Sequence, residues 1–318
     1  MRRIQIIVAL LMTANGIAMD QGRLVDEQKV GSRFLPAPRT VRIYLPPSYA
    51  SSPRRRYPVL YLHDGQNVFS AAGTNCCFGW GSWELDKTVD RLVAGKKMRE
   101  IIMVALDNSP ERYLEYRGPA YPYSEKELQG LRRRPLAPGD NTRFENYARF
   151  LAEELKPKID REYRTYKGAD NTAVMGSSLG GICSLALAWD HPKVFGGAAS
   201  LSGSYQIEKK NFLENVLRCY HRKPKPILVY LDSGMIDFTG DDDGRKDTAA
   251  VTAELRRIGW KAEKNLKYFA DLRPLNDAEL EKAGLRRDKW KEAQKSQHNE
   301  FYWRQRVWQA LVFLFPAK

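Results

Sequence analysis

Cysteine and histidine are both scarce in this chain, four of each among 318 residues. Cys76, Cys77, Cys183 and Cys219 show no metal-ligand spacing, which excludes a cysteine-based metal site as the organising feature. Four thiols in a chain this long do not require a disulfide framework. Oxidising surroundings would still admit a bridge from the Cys76/Cys77 pair to another cysteine. Repeats and low-complexity tracts are absent, which excludes solenoids and linker-like segments. Long apolar runs are absent as well. The one at residues 4–12 is too short to span a bilayer, so no stable membrane insertion is expected. Acidic residues fall short of basic ones, 38 against 52, for a formal net charge of +14. The basic clusters, such as Arg54, Arg55 and Arg56 or Arg132, Arg133 and Arg134, are scattered between other segments. Together with the lack of a nucleic-acid motif, that scatter argues against a nucleic-acid partner and leaves a solvated basic surface or attraction to anionic polymers.

The segment "MRRIQIIVALLMTANGIAMD" has two arginines, an apolar run and then small residues. It predicts a signal peptide over residues 1–18, cleaved after Ala18, and a secreted or periplasmic protein. A first core strand is the competing reading. The rest, residues 19–318, shows no compositional break and reads as a single domain.

From Thr40 onward the patterning alternates between strands and helices. "TVRIYLP" reads as a half-exposed strand. "YPVLYLHDG", "EIIMVALDN", "NTAVMGSS", "GGAASLSGS" and "PILVYLDSG" are apolar runs ending in small or acidic residues, the form of parallel strands buried on both faces. "TRFENYARFLAEELK" reads as a helix with Thr142 and Glu145 in capping-box spacing. "DTAAVTAELRRIG" is a second helix stopped by Gly259, and "HNEFYWRQRVWQALVFLF" a last one with Trp303, Val307, Leu311 and Leu314 on one stripe. This alternation predicts an α/β fold: a mainly parallel central sheet with helices on both faces.

In "VMGSSLGG" two serines stand between glycines. The spacing Gly176-Ser177-Ser178-Leu179-Gly180 is that of the G-x-S-x-G nucleophile elbow, although a plain strand-to-helix turn shares the composition. The strand–turn–helix setting favours the elbow, with Ser178 as its central residue. A serine hydroxyl needs a base to become a nucleophile. Of His63, His191, His221 and His298, only His298 falls late enough for the order Ser…Asp…His. The acid is expected after "PILVYLDSG". Asp237 is the favoured candidate, with Asp241, Asp242 and Asp243 left open. Those three also read as a solvated acidic loop or a calcium loop, whose ligand spacing is missing. The backbone N–H groups of Leu179 and Gln66, the latter in "LHDGQNVF", are the candidate oxyanion donors. No metal or cofactor is implied.

These motifs, with "VRIYLPPSY", "GSWELDKTVDRL", "FENYARFLAEELKPKIDREYRT" and "HNEFYW", resemble the Putative-esterase family of α/β-hydrolases from about Thr40 to Phe315. That family includes the esterase-D type, enterochelin esterases, mycolyltransferases, and acetyl xylan and feruloyl esterases. The resemblance implies an α/β-hydrolase fold, Ser178 as nucleophile, His298 as general base, and an acid three residues after Gly234, at Asp237. It puts the oxyanion donors at Gln66 and Leu179. Two departures stand out: a polar, helix-like insert over residues 271–297, and the loop "AAGTNCCFGWG".

The expected activity is serine ester hydrolysis on an acylated carbohydrate carrying acetyl or feruloyl groups. Trp80, Trp83 and Tyr116 are candidate substrate-binding residues among the aromatics Phe78, Tyr113, Tyr121 and Tyr123. Arg286, Arg287 and Lys289 of the insert are placed near an acidic substituent of the polymer. Alternatives are a siderophore trilactone esterase, an acyltransferase and, from another class, a non-catalytic binding protein on the same fold.

Overall fold

The structure, a computed structural model, describes residues 21–124, 127 and 139–317. The expected signal peptide and the Arg132, Arg133 and Arg134 cluster lie outside the described residues.

Eight strands form one sheet: β1 (Arg23–Val30), β2 (Arg39–Leu45), β3 (Val59–Leu62), β4 (Ile102–Leu106), β5 (Thr172–Ser177), β6 (Gly197–Leu201), β7 (Leu228–Ser233) and β8 (Leu266–Ala270), in the order β1-β2-β4-β3-β5-β6-β7-β8. The β1–β2 and β2–β4 pairs are antiparallel, and the remaining pairs are parallel. Strand β1 is an addition to the sequence reading. Its polar stretch "RLVDEQKV" carries little apolar alternation because it is the edge strand.

The helices that matter for the site are α1 (Leu85–Ala94), α2 (Arg112–Tyr116), α3 (Leu179–Asp190), α4 (Arg245–Ile258), α5 (Asp277–Lys282) and α6 (Glu300–Leu314). Consecutive helical segments also run from Arg143 to Glu162. Along the strands, alternate side chains enter different cores, as pleating requires. Tyr61, Ile102 and Val104 join Ile182, Leu185, Val251 and Leu255 on one face. Leu60, Leu62 and Met103 join Leu85, Val89, Val307 and Leu311 on the other. Two-sided burial explains why these strands read as unbroken apolar runs.

Two helix starts differ from expectation. Thr142 does not cap the following helix, because its hydroxyl donates to the Gly139 carbonyl at 2.9 Å. The last helix begins at Glu300, capped by Asn299, whose side chain accepts from Tyr302 N. His298 therefore lies just outside the helix, in the loop that feeds it. The insert at residues 271–297 is only partly helical: α5 has a complete capping box from Asn276 and Glu279, followed by short turns. Among the described residues no helix is long and apolar enough to cross a membrane.

Candidate active site

Strand β5 ends at Ser177 and α3 begins at Leu179, so one residue makes the whole turn. That residue is Ser178, with φ 55° and ψ −122°. A non-glycine residue held there costs on the order of 1–3 kcal/mol and persists only where the surroundings enforce it. The enforcement is visible in the backbone. Ser178 N donates to the Leu201 carbonyl at 2.9 Å, and its own carbonyl accepts from Gly181 at 3.0 Å and Ser204 at 3.1 Å. The glycines are steric necessities. A Cβ on Gly176 would lie 2.7 Å from the Gly180 carbonyl group, and one on Gly181 would lie 2.6 Å from Ser200 Oγ. Ser177 is a buried strand residue in register with Leu201. The Ser178 hydroxyl meets Ser204 Oγ at 3.2 Å.

His298 lines the same cavity as Ser178, a cleft of about 640 Å³. Its Nδ1 is 2.5 Å from Asp243 Oδ1. Donation of the Nδ1 proton to that carboxylate leaves Nε2 as the acceptor, the tautomer a general base requires. The ring packs edge-on against Trp303 at 5.1 Å and Phe238 at 5.9 Å. His63, at the end of β3, is not a competitor. It is buried with Nδ1 2.9 Å from the Tyr147 hydroxyl, and burial pushes it down to about 4, so it is neutral at ordinary pH.

The carboxylate partner corrects the sequence reading, which favoured Asp237. Asp237 accepts from Thr239 N at 2.8 Å and Thr239 Oγ1 at 2.6 Å, closing a turn away from His298. The loop swings outward through residues 235–242 and returns at Asp243, which is fully buried. There Asp243 accepts from Gly234 N at 2.6 Å, from the Ser202 hydroxyl, and from Arg306 Nη2 at 3.4 Å. Burial alone would push this carboxyl up. The His298 hydrogen bond and charge, with Arg306 and Ser202, outweigh burial and hold it below the usual carboxylate range. A count of three from Gly234 fails because Gly234 and Asp243 are themselves joined, with residues 235–242 looped out between them. A Cβ on Gly234 would lie 2.8 Å from Asp243 Oδ2.

Four further residues support the pair, of which Arg306 and Ser202 went unread in the sequence. Arg306 of α6 is buried, donating to Asp232 Oδ1 at 3.0 Å and to Ser202 Oγ at 2.5 Å. Asp232 is pushed up to about 6 by burial, against the pull of Arg306 and with Asp243 adding to the rise. Ser202, at φ 46°, joins Arg306, Asp243 and Trp303 Nε1 through one hydroxyl. Gln297 immediately precedes His298. It is buried, and it accepts from Met235 N at 2.6 Å and donates to the Arg273 carbonyl at 3.1 Å, tying the acid loop and the insert to the histidine. The one available signal was an arginine amid the apolar stripe of α6.

Gln66 and Leu179 come from two separate turns that follow strands β3 and β5. Leu179 is the first residue of α3, and Gln66 sits in the turn Gly65–Asn67 after Asp64 at φ 55°. Among the described residues neither backbone N–H donates to another backbone carbonyl. Gln66 Oε1 accepts from Asn108 N at 3.2 Å, which fixes the turn. Asp64 is held by Arg112 in a two-point pair at 2.6 and 2.7 Å, and both residues line the cavity.

Of the expected substrate-binding aromatics, Trp80 and Trp83 line the cleft, with Phe78 and Phe238. Tyr116 does not. It is fully buried, its ring 5.0 Å from His63 and 5.2 Å from Tyr147, because it faces the core from the end of α2. Tyr121 and Tyr123 meet edge to face with ring centroids 4.8 Å apart. All four cysteines are free, so the admitted bridge is not formed; Cys76 and Cys77 place their sulfurs 3.5 Å apart.

A mainly parallel sheet with a serine on a strained strand-to-helix turn and a histidine–carboxylate pair in the same cleft defines an esterase of the α/β-hydrolase type. Residues 32–314 match the model of the family described as "Putative esterase", and the chain belongs to that family. It is 28% identical over 252 residues to the uncharacterized protein YjcH of Bacillus subtilis (strain 168), covering 79% of this chain and 89% of that one. The fold matches a ferulic acid esterase with a TM-score of 0.63 at 18% identity, over 93% of this chain and 98% of that one. It also matches the enterobactin esterase FES from Shigella flexneri, solved in the presence of enterobactin, with a TM-score of 0.61 at 17% identity. That match spans 93% of this chain and 60% of the other.

Proposed function

We propose that this esterase is a serine carboxylic ester hydrolase acting through Ser178, His298 and Asp243, on acylated carbohydrate bearing acetyl or feruloyl groups. The observation that carries the reading is the 2.5 Å contact between His298 Nδ1 and Asp243, in the cleft that Ser178 also lines. Ser178 Oγ attacks the ester carbonyl as its proton passes to His298 Nε2, and Asp243 stabilises the imidazolium. The developing oxyanion is received by the N–H groups of Gln66 and Leu179, each worth about a hundredfold to a thousandfold in rate. His298 then protonates the departing alcohol. Water, deprotonated by the same nitrogen, releases the acid and restores Ser178. The serine hydroxyl rests on Ser204 and turns to His298 when substrate arrives, in keeping with catalytic contacts that tighten only in the substrate complex.

Flat apolar walls from Phe78, Trp80, Trp83 and Phe238 suit sugar faces or an aromatic acyl group. Action on an extracellular polymer accords with the export expected from residues 1–18. A second reading, hydrolysis of a catecholate siderophore ester, is favoured by the fold shared with an enterobactin esterase. The test is a substrate panel: release of ferulate or acetate from xylo-oligosaccharide esters beside hydrolysis of a catecholate trilactone, with labelling of Ser178 by a fluorophosphonate. Efficient trilactone cleavage without release from any saccharide ester would reverse the ranking. Absence of labelling would remove the catalytic reading. An added acceptor alcohol, with product analysis, separates hydrolysis from acyl transfer.

A further inference from the structure

A second cavity of about 620 Å³ adjoins the catalytic cleft, and Trp80 lines both. Its walls come from α1, α6, the loop before α1 and the end of α5. The loop is shaped by Gly79 at φ 85° and Gly81 at φ 79°, which carry Trp80 between the two spaces. The lining is strongly cationic: Lys87, Arg91, Lys282, Arg286 and Arg304 stand against one carboxylate, Glu84.

That carboxylate is already shared. Glu84 Oε1 accepts from Lys87 at 3.2 Å and is 3.9 Å from Arg304. Arg304 is mostly buried, and its nearest oxygen is the Ser82 carbonyl at 3.2 Å. Arg286 is occupied by Asp288 and Asn75 and ties the insert to the loop. Among the described residues Arg91 and Lys282 have no carboxylate within 4.0 Å. Positive charges converging on one concave surface add their fields and attract an anion more strongly than the same charges scattered apart.

We propose that this cavity is an anion subsite that takes a carboxylate carried by the same substrate whose ester lies at Ser178, a uronic acid on an acylated sugar chain. The proposal rests on the acylated-carbohydrate reading and names a substrate class within it. It also gives the insert a role: residues 282–286 wall the subsite rather than the catalytic cleft. Arg287 and Lys289 pair instead with Glu281 and Glu292.

Binding is measured by calorimetry on Ser178→Ala, which cannot turn over, with two probes: a feruloylated xylo-oligosaccharide carrying a uronic acid, and its uronate-free counterpart. Tighter binding of the acidic probe by about tenfold, diminishing with added salt, is expected from one new charge-assisted contact. The surface variant Arg91→Gln with Lys282→Gln should abolish that preference, and Arg91→Lys with Lys282→Arg should restore it. Equal binding of both probes, or a preference that survives the glutamine pair, overturns the subsite. Kinetics on the active chain separate the two claims. If the neutral ester is hydrolysed without preference for the acidic one, the subsite fails and the esterase reading stands. If neither ester is hydrolysed but the acidic probe still binds with the salt-sensitive preference, the esterase reading fails and the anion site stands.

Discussion

The turn at Ser178 and the loop closing at Asp243 follow strands β5 and β7 of one sheet, yet they are fixed by different kinds of interaction. The elbow is local. Within six residues, Gly176 and Gly180 make way for each other and the helix starts at once. The acid loop is assembled from afar. Asp243 is positioned by Gly234, Ser202, His298 and Arg306, the last 63 residues away along the chain. A site element held by short-range sterics leaves its rule in the sequence, whereas one held by buried polar contacts leaves only a choice among candidates.

The most severe test of the local half is Ser178→Ala. Turnover on a feruloyl or aryl ester should fall about a millionfold, as for comparable triads. The neighbouring Ser177→Ala, which changes a strand residue, should keep most activity. If Ser177→Ala were the dead variant, the turn would be centred one residue early and the steric argument with it.

For the distant half, Asp243→Asn should lower kcat by about ten-thousandfold, because the amide no longer selects the productive histidine tautomer or stabilises its cation. It should also lower the melting temperature, since Arg306 loses one of its buried anionic neighbours. An Asp243→Asn protein with near-normal kcat would leave the contact with His298 structural only.

That contrast explains what the sequence made legible. The parallel core, the elbow, His298 and the two Trp residues of the cleft were readable because burial on both faces, glycine spacing and chain order act over short windows. Asp243 was one of four carboxylates kept in view, and a count from Gly234 chose the wrong one because loop path is not a local property. Tyr116 was misread for a related reason: its ring turns inward onto His63 and Tyr147, which no spacing records. Strand β1 was missed as a polar edge.

A smaller effect sharpens the steric claim itself. In Gly176→Ala the added methyl meets the Gly180 backbone at 2.7 Å, and a backbone atom cannot rotate aside. The cost is expected at roughly 1–3 kcal/mol of stability, read by denaturant unfolding. Activity should fall with it as the elbow shifts. Unchanged stability would show that the turn accommodates a side chain and that the glycines are incidental.

The smallest expected effect is the most discriminating. Asp237→Asn removes a charge that lies away from His298 while keeping the Oδ1 that Thr239 N and Oγ1 donate to. The turn it closes therefore survives, and a partly exposed polar exchange of this kind changes stability by about 0.5 kcal/mol or less. The expected kcat/KM lies within about twofold of the parent, a barrier change of about 0.4 kcal/mol, because Asp237 is bonded to Thr239 and not to His298. The variant isolates position along the loop from the chemistry of the residue, since Asp237 and Asp243 are the same residue type at different places in the loop. A hundredfold loss in Asp237→Asn, with Asp243→Asn nearly neutral, would mean that the loop rearranges in the working enzyme to bring Asp237 onto His298. The long-range contacts of Asp243 would then describe a resting arrangement rather than the catalytic one.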